Sequence, residues 1–160
     1  MVTAAPFTVR PVTLDDPQFL DLLTLHLAGM RQYSPAESVH ALDLTGLAGP
    51  DLTLLGAWTA DGRLAAIGAM KRLGAVQAEV KSMRTHNDSL RRGAAATLLE
   101  AIIALARGES IRRLSLETGS GEAFEPALAL YRGRGFVDGE VFADYTATDF
   151  NQFLHLDLHP

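Results

Sequence analysis

The sequence predicts an α/β (α+β) fold with a mixed sheet, and three observations carry that reading. Segments of strand character stand before and between helical ones, in the order β-α-α-β-β-β-α-β-α-β-β. Two apolar strands are joined by Thr59-Ala60-Asp61-Gly62, and Asp-Gly is a strong hairpin signal. A long helical segment, 91–107, carries Leu98, Leu99, Ile102, Ile103 and Ala106 on one stripe at spacings near 3.6.

The elements follow in order. Residues 7–12 read as a first strand. Asp16-Pro17 reads as a helix start, with Asp as the cap and Pro at the first helical position. Phe19, Leu22, Leu23, Leu27 and Met30 then recur at helical spacing. Ser34-Pro35-Ala36-Glu37 is a capping-box pattern that opens a short second helix to about Leu42. Residues 52–58 and 63–71 form the hairpin, and 77–85 a further strand. Gly108 is placed to end the long helix. In 111–117, Leu114 and Leu116 alternate onto one face of a strand. Ser120 stands as the cap of another helix, with Phe124, Ala127, Leu128 and Tyr131 on one face and Gly135 closing it. Residues 136–141 and 152–158 read as the last strands.

Bulk properties narrow the function. The 160 residues suit one domain over 1–160, with no repeat or linker. Hydrophobic residues are 48% and charged ones 21%, which suits a folded chain. The formal net charge of −5 speaks against a nucleic-acid partner, which usually meets a basic face. No cysteine is present, so disulfides, thiolate catalysis and cysteine-held zinc are excluded. His155 and His159 are four apart, but on a strand and at a terminus, so no metal site is expected. No stretch approaches the roughly 20 apolar residues of a membrane span, and a cytoplasmic protein without a membrane partner is the expectation.

The chemistry concentrates where strand 77–85 passes through a polar loop into the long helix. The first N–H groups of a helix lack partners within it, and the helix dipole adds positive potential there. Gly93, Ala94, Ala95 and Ala96 keep that backbone open, and Arg91 and Arg92 add charge beside it. A pyrophosphate suits such a place. A plain helix start packed on a sheet is the alternative. The three spaced glycines of a dinucleotide fingerprint and the Lys-Ser/Thr pair of a P-loop are both missing.

Leu90-Arg91-Arg92-Gly93-Ala94-Ala95 resembles the Q/R-x-x-G-x-G/A acetyl-CoA motif of the GNAT superfamily, departing from it at Leu90. Ala129-Leu130-Tyr131-Arg132-Gly133-Arg134-Gly135-Phe136 is similar to the family's A-x-x-L-Y-x-x-x-G-F turn, with Ala127 nearer to the leading alanine. The order of elements agrees over nearly the whole chain. The segments 37–43, 79–85, 114–119 and 142–145 resemble a bacterial subgroup of acetyltransferases whose substrates do not come with the likeness.

The resemblance implies a mixed, mostly antiparallel sheet flanked by helices, with the fourth and fifth strands splayed around the cofactor. It implies an N-acetyltransferase that uses acetyl-CoA and a primary amine of a small molecule or peptide, reacting directly in a ternary complex. The alternatives are a non-catalytic acyl-CoA sensor and an enzyme for another acyl-CoA. By resemblance, backbone groups of Ser82, Met83 and Arg84 receive pantetheine, and Arg91, Arg92, Gly93, Ala94, Ala95, Ala96 and Thr97 hold the pyrophosphate. Glu79 is the implied base, Tyr131 the acid that protonates the leaving thiolate, and the Met83 N–H the donor to the carbonyl oxygen. Glu37, His40, Arg72, Lys81 and Tyr145 are candidates for the acceptor side. Homodimers are common in the family.

Overall fold

A computed structural model describes residues 7–33, 49–90 and 92–158. Strands β1 (Phe7–Pro11), β2 (Leu52–Thr59), β3 (Leu64–Arg72), β4 (Gln77–Thr85), β5 (Arg113–Thr118), β6 (Val137–Asp138) and β7 (Gln152–Asp157) join helices α1 (Pro17–Tyr33), α2 (Ala94–Gly108) and α3 (Glu125–Gly133). The sheet runs β1-β2-β3-β4-β5-β7-β6. Every neighbouring pair is antiparallel except β4 and β5, which are parallel. The mixed, mostly antiparallel sheet is therefore as expected. The second helix expected from Ser34 lies outside the described residues.

Local chemistry explains most boundaries. Asp16 Oδ1 accepts from the Gln18 and Phe19 amides at 2.8 and 3.3 Å, which caps α1. Gly62 takes φ +86° in the β2–β3 turn, where an L side chain is strained. Residues of β3 are buried on both faces, so it reads as an almost continuous apolar run. Leu98, Leu99, Ile102, Ile103 and Ala106 of α2 enter one core with Leu55, Met70, Leu114, Leu116, Leu128 and Tyr131. On the opposite face, Phe19, Leu22 and Leu23 of α1 pack against Leu54, Trp58, Leu64 and Ile67. Ile102 is fully buried, and truncating it to alanine would cost about 2–5 kcal/mol.

Four expectations need correction. The long helix begins at Ala94, not Arg91, because Gly93 sits at φ +90° and caps it. Its last helical residue is Gly108, but that glycine is not the left-handed closing residue. Ser110 turns left-handed instead, at φ +61°. The Ile111 amide donates to the Ala106 carbonyl at 2.9 Å and the Ser110 amide to the Arg107 carbonyl at 3.1 Å, a Schellman closure. Ser120 does not cap the third helix; a 3₁₀ turn, Glu122–Phe124, led by Gly121 at φ +109°, precedes it. The strand expected over 136–141 is only Val137–Asp138. Gly135 does close α3, at φ +98°, with the Phe136 amide donating to the Tyr131 carbonyl at 3.1 Å.

Candidate active site

The cleft begins where the sheet stops being a sheet. β4 and β5 pair only at Gln77↔Arg113, Ala78↔Leu114 and Glu79↔Ser115. Beyond Glu79 the strands part, and a cleft of about 640 Å³ opens between them. It reaches His26 of α1, the β4 residues from Glu79 to Thr85, the start of α2, Leu116 to Thr118 of β5 with Gly119 beyond it, and Tyr131 of α3.

A bulge shapes the β4 wall. The register with β3 passes from Ala69↔Lys81 to Ile67↔Arg84, leaving Ser82 and Met83 together opposite Gly68. Ser82 takes φ +57° to make that extra residue fit. Gly68 leaves room beneath it: a Cβ there would force the Met83 side chain to move and press on Leu98 and Ile102 at 3.2 and 3.3 Å. Ser82 and Met83 thus leave the ladder and line the cleft.

The floor is the start of α2. The Thr97 amide is the first to find a helical partner, the Gly93 carbonyl at 2.9 Å. The amides of Ala94, Ala95 and Ala96 precede it, no side chain caps them, and all three residues line the cleft. A Cβ on Gly93 would meet nothing within 4 Å, so the approach is open. These features fit an anionic group, held by backbone N–H and by the dipole.

At the other end lies a polar cluster. Ala78, Val80, Leu114 and Leu116 enter the core under α2, so alternation sends Glu79, Lys81, Ser115 and Glu117 to the opposite face. Glu79 is only 3% exposed. Its Oε2 accepts a short hydrogen bond from the Tyr145 hydroxyl and lies 3.5 Å from the Lys81 ammonium. Lys81 Nζ donates to the Tyr145 hydroxyl oxygen at 3.0 Å. Burial, then the Glu79 charge, push the Tyr145 phenol far above its ordinary range, so it stays a donor. Across the gap, Asn151 Nδ2 donates to Glu117 Oε2 at 3.2 Å. Burial pushes the Glu117 carboxyl up to about 7, aided by the Glu79 charge and opposed by Asn151 and Lys81. Tyr131 is buried against Phe136, and burial raises its phenol to about 12.

Of the residues singled out in the sequence, Glu79, Lys81, Ser82, Met83, Arg84, Gly93, Ala94, Ala95, Ala96, Tyr131 and Tyr145 meet around this one cleft. Others do not. Arg72 is committed elsewhere, its guanidinium donating to both Glu109 oxygens at 2.6 Å and to Thr53 at 2.9 Å. Arg92 lines a separate hollow with Phe7, Gln18 and Arg63. Thr97 is not among the lining residues, and its amide is already used within α2. The Arg84 side chain turns to α1, with Nε donating to His26 Nδ1 at 3.3 Å. His26 is kept neutral, its imidazole lowered to about 4 by burial and then by Arg84. Glu37, His40 and Arg91 lie outside the described residues. Sequence reasoning missed Glu117 and Asn151 as a pair; the odd-position alternation of 113–118 could have put Glu117 beside Glu79, but nothing local points to Asn151.

A strand splay, a bulge beside it and an uncapped helix start face the same gap. The family model for the acetyltransferase (GNAT) family matches residues 19–136. The chain belongs to the GNAT acetyltransferase family. It is 42% identical over 152 residues to the uncharacterized N-acetyltransferase YedL of Escherichia coli K12, covering 95% of each chain. It is 48% identical over 128 residues to the uncharacterized N-acetyltransferase YsnE of Bacillus subtilis, covering 80% of this chain and 84% of that one. It also shares its fold with a GNAT family acetyltransferase from Elizabethkingia anophelis solved with acetyl-CoA bound, at a TM-score of 0.69 and 18% identity, covering 97% and 100% of the two chains. Among the described residues, no group of His, Asp and Glu is placed to hold a metal ion, and no helix is long and apolar enough to cross a membrane.

Proposed function

We propose that this GNAT protein moves the acetyl group of acetyl-CoA to a primary amine, by direct attack while both substrates are bound. The observation that carries the reading is the single cleft in which the α2 amides, the β4 bulge and Tyr131 meet. The amides of Ala94, Ala95 and Ala96 and the open backbone at Gly93 receive the pyrophosphate. Ser82, Met83 and Arg84 present backbone groups to the pantetheine arm in place of a neighbouring strand. The Met83 N–H faces the thioester oxygen and stabilises the charge that develops on it, an effect of several kcal/mol in a dry site (~3 kcal/mol for one such donor). Tyr131, protonated at neutral pH, gives its proton to the departing thiolate. The amine enters at the end marked by Glu79, Lys81, Tyr145 and Glu117.

Calorimetric titration with acetyl-CoA tests this directly. Binding in the micromolar range, followed by CoA release on addition of an amine, is the expected result. Binding with no release for any amine would favour a sensor, and no binding up to millimolar concentration would remove the reading altogether.

A further inference from the structure

Arg72, Arg113, Arg132 and Arg134 each sit against an acid. Arg84 does not. It is half-buried and lines the cleft, and among the described residues no carboxylate stands within ion-pair reach of it. Its guanidinium lies across α1. Nε donates to His26 Nδ1 at 3.3 Å and Nη2 to the His26 carbonyl at 3.4 Å. His26 is neutral there, as an accepting Nδ1 requires, so it offers a dipole and no counter-charge. Gly29, one turn further along α1, makes the room: a Cβ on it would stand 2.7 Å from Arg84 Nη2 and 3.2 Å from Nη1. The bonds to His26 use the side of the guanidinium formed by Nε and Nη2. The Nη1 end of its fork is left without a protein partner among the described residues.

The place of that fork gives it a use. Ile67 and Ala69, the β3 partners of Arg84 and Lys81, pack on the α1 face, so the bulge between them sends both cations to that side. Met83 packs toward the α2 core instead. Arg84 thus follows directly on the residue whose N–H is proposed to face the thioester. Glu79 and Glu117 stand at the other end of the same face, where Lys81 is already matched by Glu79 at 3.5 Å. This side of the cleft therefore carries a guanidinium without an acid at one end and acids at the other. We propose that Arg84 receives a carboxylate of the acceptor, which makes the acceptor a free amino acid; this rests on the acetyl transfer proposed above. The planar fork suits a carboxylate, which takes two parallel N–H bonds from it. The amine of the same molecule is then directed along β4, past the thioester, toward the acids. A peptide N-terminus has an amide where the amino acid has its carboxylate, and it leaves the Arg84 charge unmatched.

¹⁵N NMR of the arginine Nε–H groups reads this contact without turnover, on the intact protein with CoA added. The signal that vanishes in Arg84→Gln should shift on addition of free α-, β- or γ-amino acids and stay in place with their amides. Turnover is read by CoA release from acetyl-CoA with the same pairs. At least one free amino acid should exceed its amide at least about 30-fold in kcat/KM, and Arg84→Gln should bring that pair within about threefold by raising the KM of the free acid. Gly29→Ala claims the space of the guanidinium while favouring the helix, so it should lower the same preference, and it needs no folded Arg84→Gln protein. Amides acetylated as well as free acids by the wild type, an Arg84 signal that no amino acid moves, or a preference kept in Arg84→Gln each overturns the proposal. Acetyl-CoA calorimetry separates the two levels: absent binding removes the transfer reading and this one with it, while binding with CoA release on amines that lack a carboxylate alone removes only this one.

Discussion

Gly93 and Tyr131 show how a single position carries a prediction. Gly93 holds φ +90° with open space where a side chain would be. Aspartate there meets backbone strain of roughly 1–2 kcal/mol and also aims a negative charge at the anion site. Gly93→Asp should therefore leave a folded protein that no longer binds acetyl-CoA, and normal affinity by calorimetry would place the pyrophosphate elsewhere. Tyr131→Phe keeps the ring against Phe136 and removes only the hydroxyl. Its turnover should fall about 100-fold or more with cofactor affinity little changed; equal turnover across pH would remove the acid role. Both residues were visible in the sequence because short motifs carry them. Glu117 and Asn151 were not, since they lie 34 residues apart and meet only through a β5–β7 register.

At the scale of elements, the closure of α2 is the informative case. The stripe of Leu98, Leu99, Ile102, Ile103 and Ala106 was legible because burial follows helical period. The form of its closure was not, because the helix stops at Gly108 while the left-handed turn that closes it falls on Ser110. A serine at φ +61° bears a cost that glycine avoids. Ser110→Gly should stabilise the protein by about 0.5–1 kcal/mol, after the entropy that glycine adds to the unfolded chain. A thermal melt checks this, with a rise of about 2 °C expected and a fall counting against the Schellman closure. The β4 bulge was equally hidden. The sequence 77–85 reads as one strand, and only pairing with β3 reveals that Ser82 and Met83 share the place opposite Gly68.

For the whole molecule, the buried ionisable groups set how stability responds to pH. Glu117 binds its proton more tightly when folded, at about 7 against an ordinary 4.5. Its stabilising share is full below pH 4.5 and is lost as pH rises through 7. His26 works in the opposite sense: lowered to about 4 from 6.5, it withdraws stability as pH falls from 6.5. The melting temperature of Glu117→Gln should therefore gain on the wild type as pH rises from 4.5 to 8, and match it most closely near pH 4. A constant difference across that range would contradict the half-buried, proton-holding Glu117. The sequence by itself determined the order of elements, the faces they bury, the helix start that suits an anion and the family likeness, because periodicity, caps and short motifs are local. The tertiary structure alone decided where β4 and β5 part, after Glu79, that Arg72 is spent on Glu109, and that Glu79, Lys81, Tyr145, Glu117 and Asn151 converge. Those facts depend on strand register and on where burial shifts a proton, and both arise only when distant segments share one sheet.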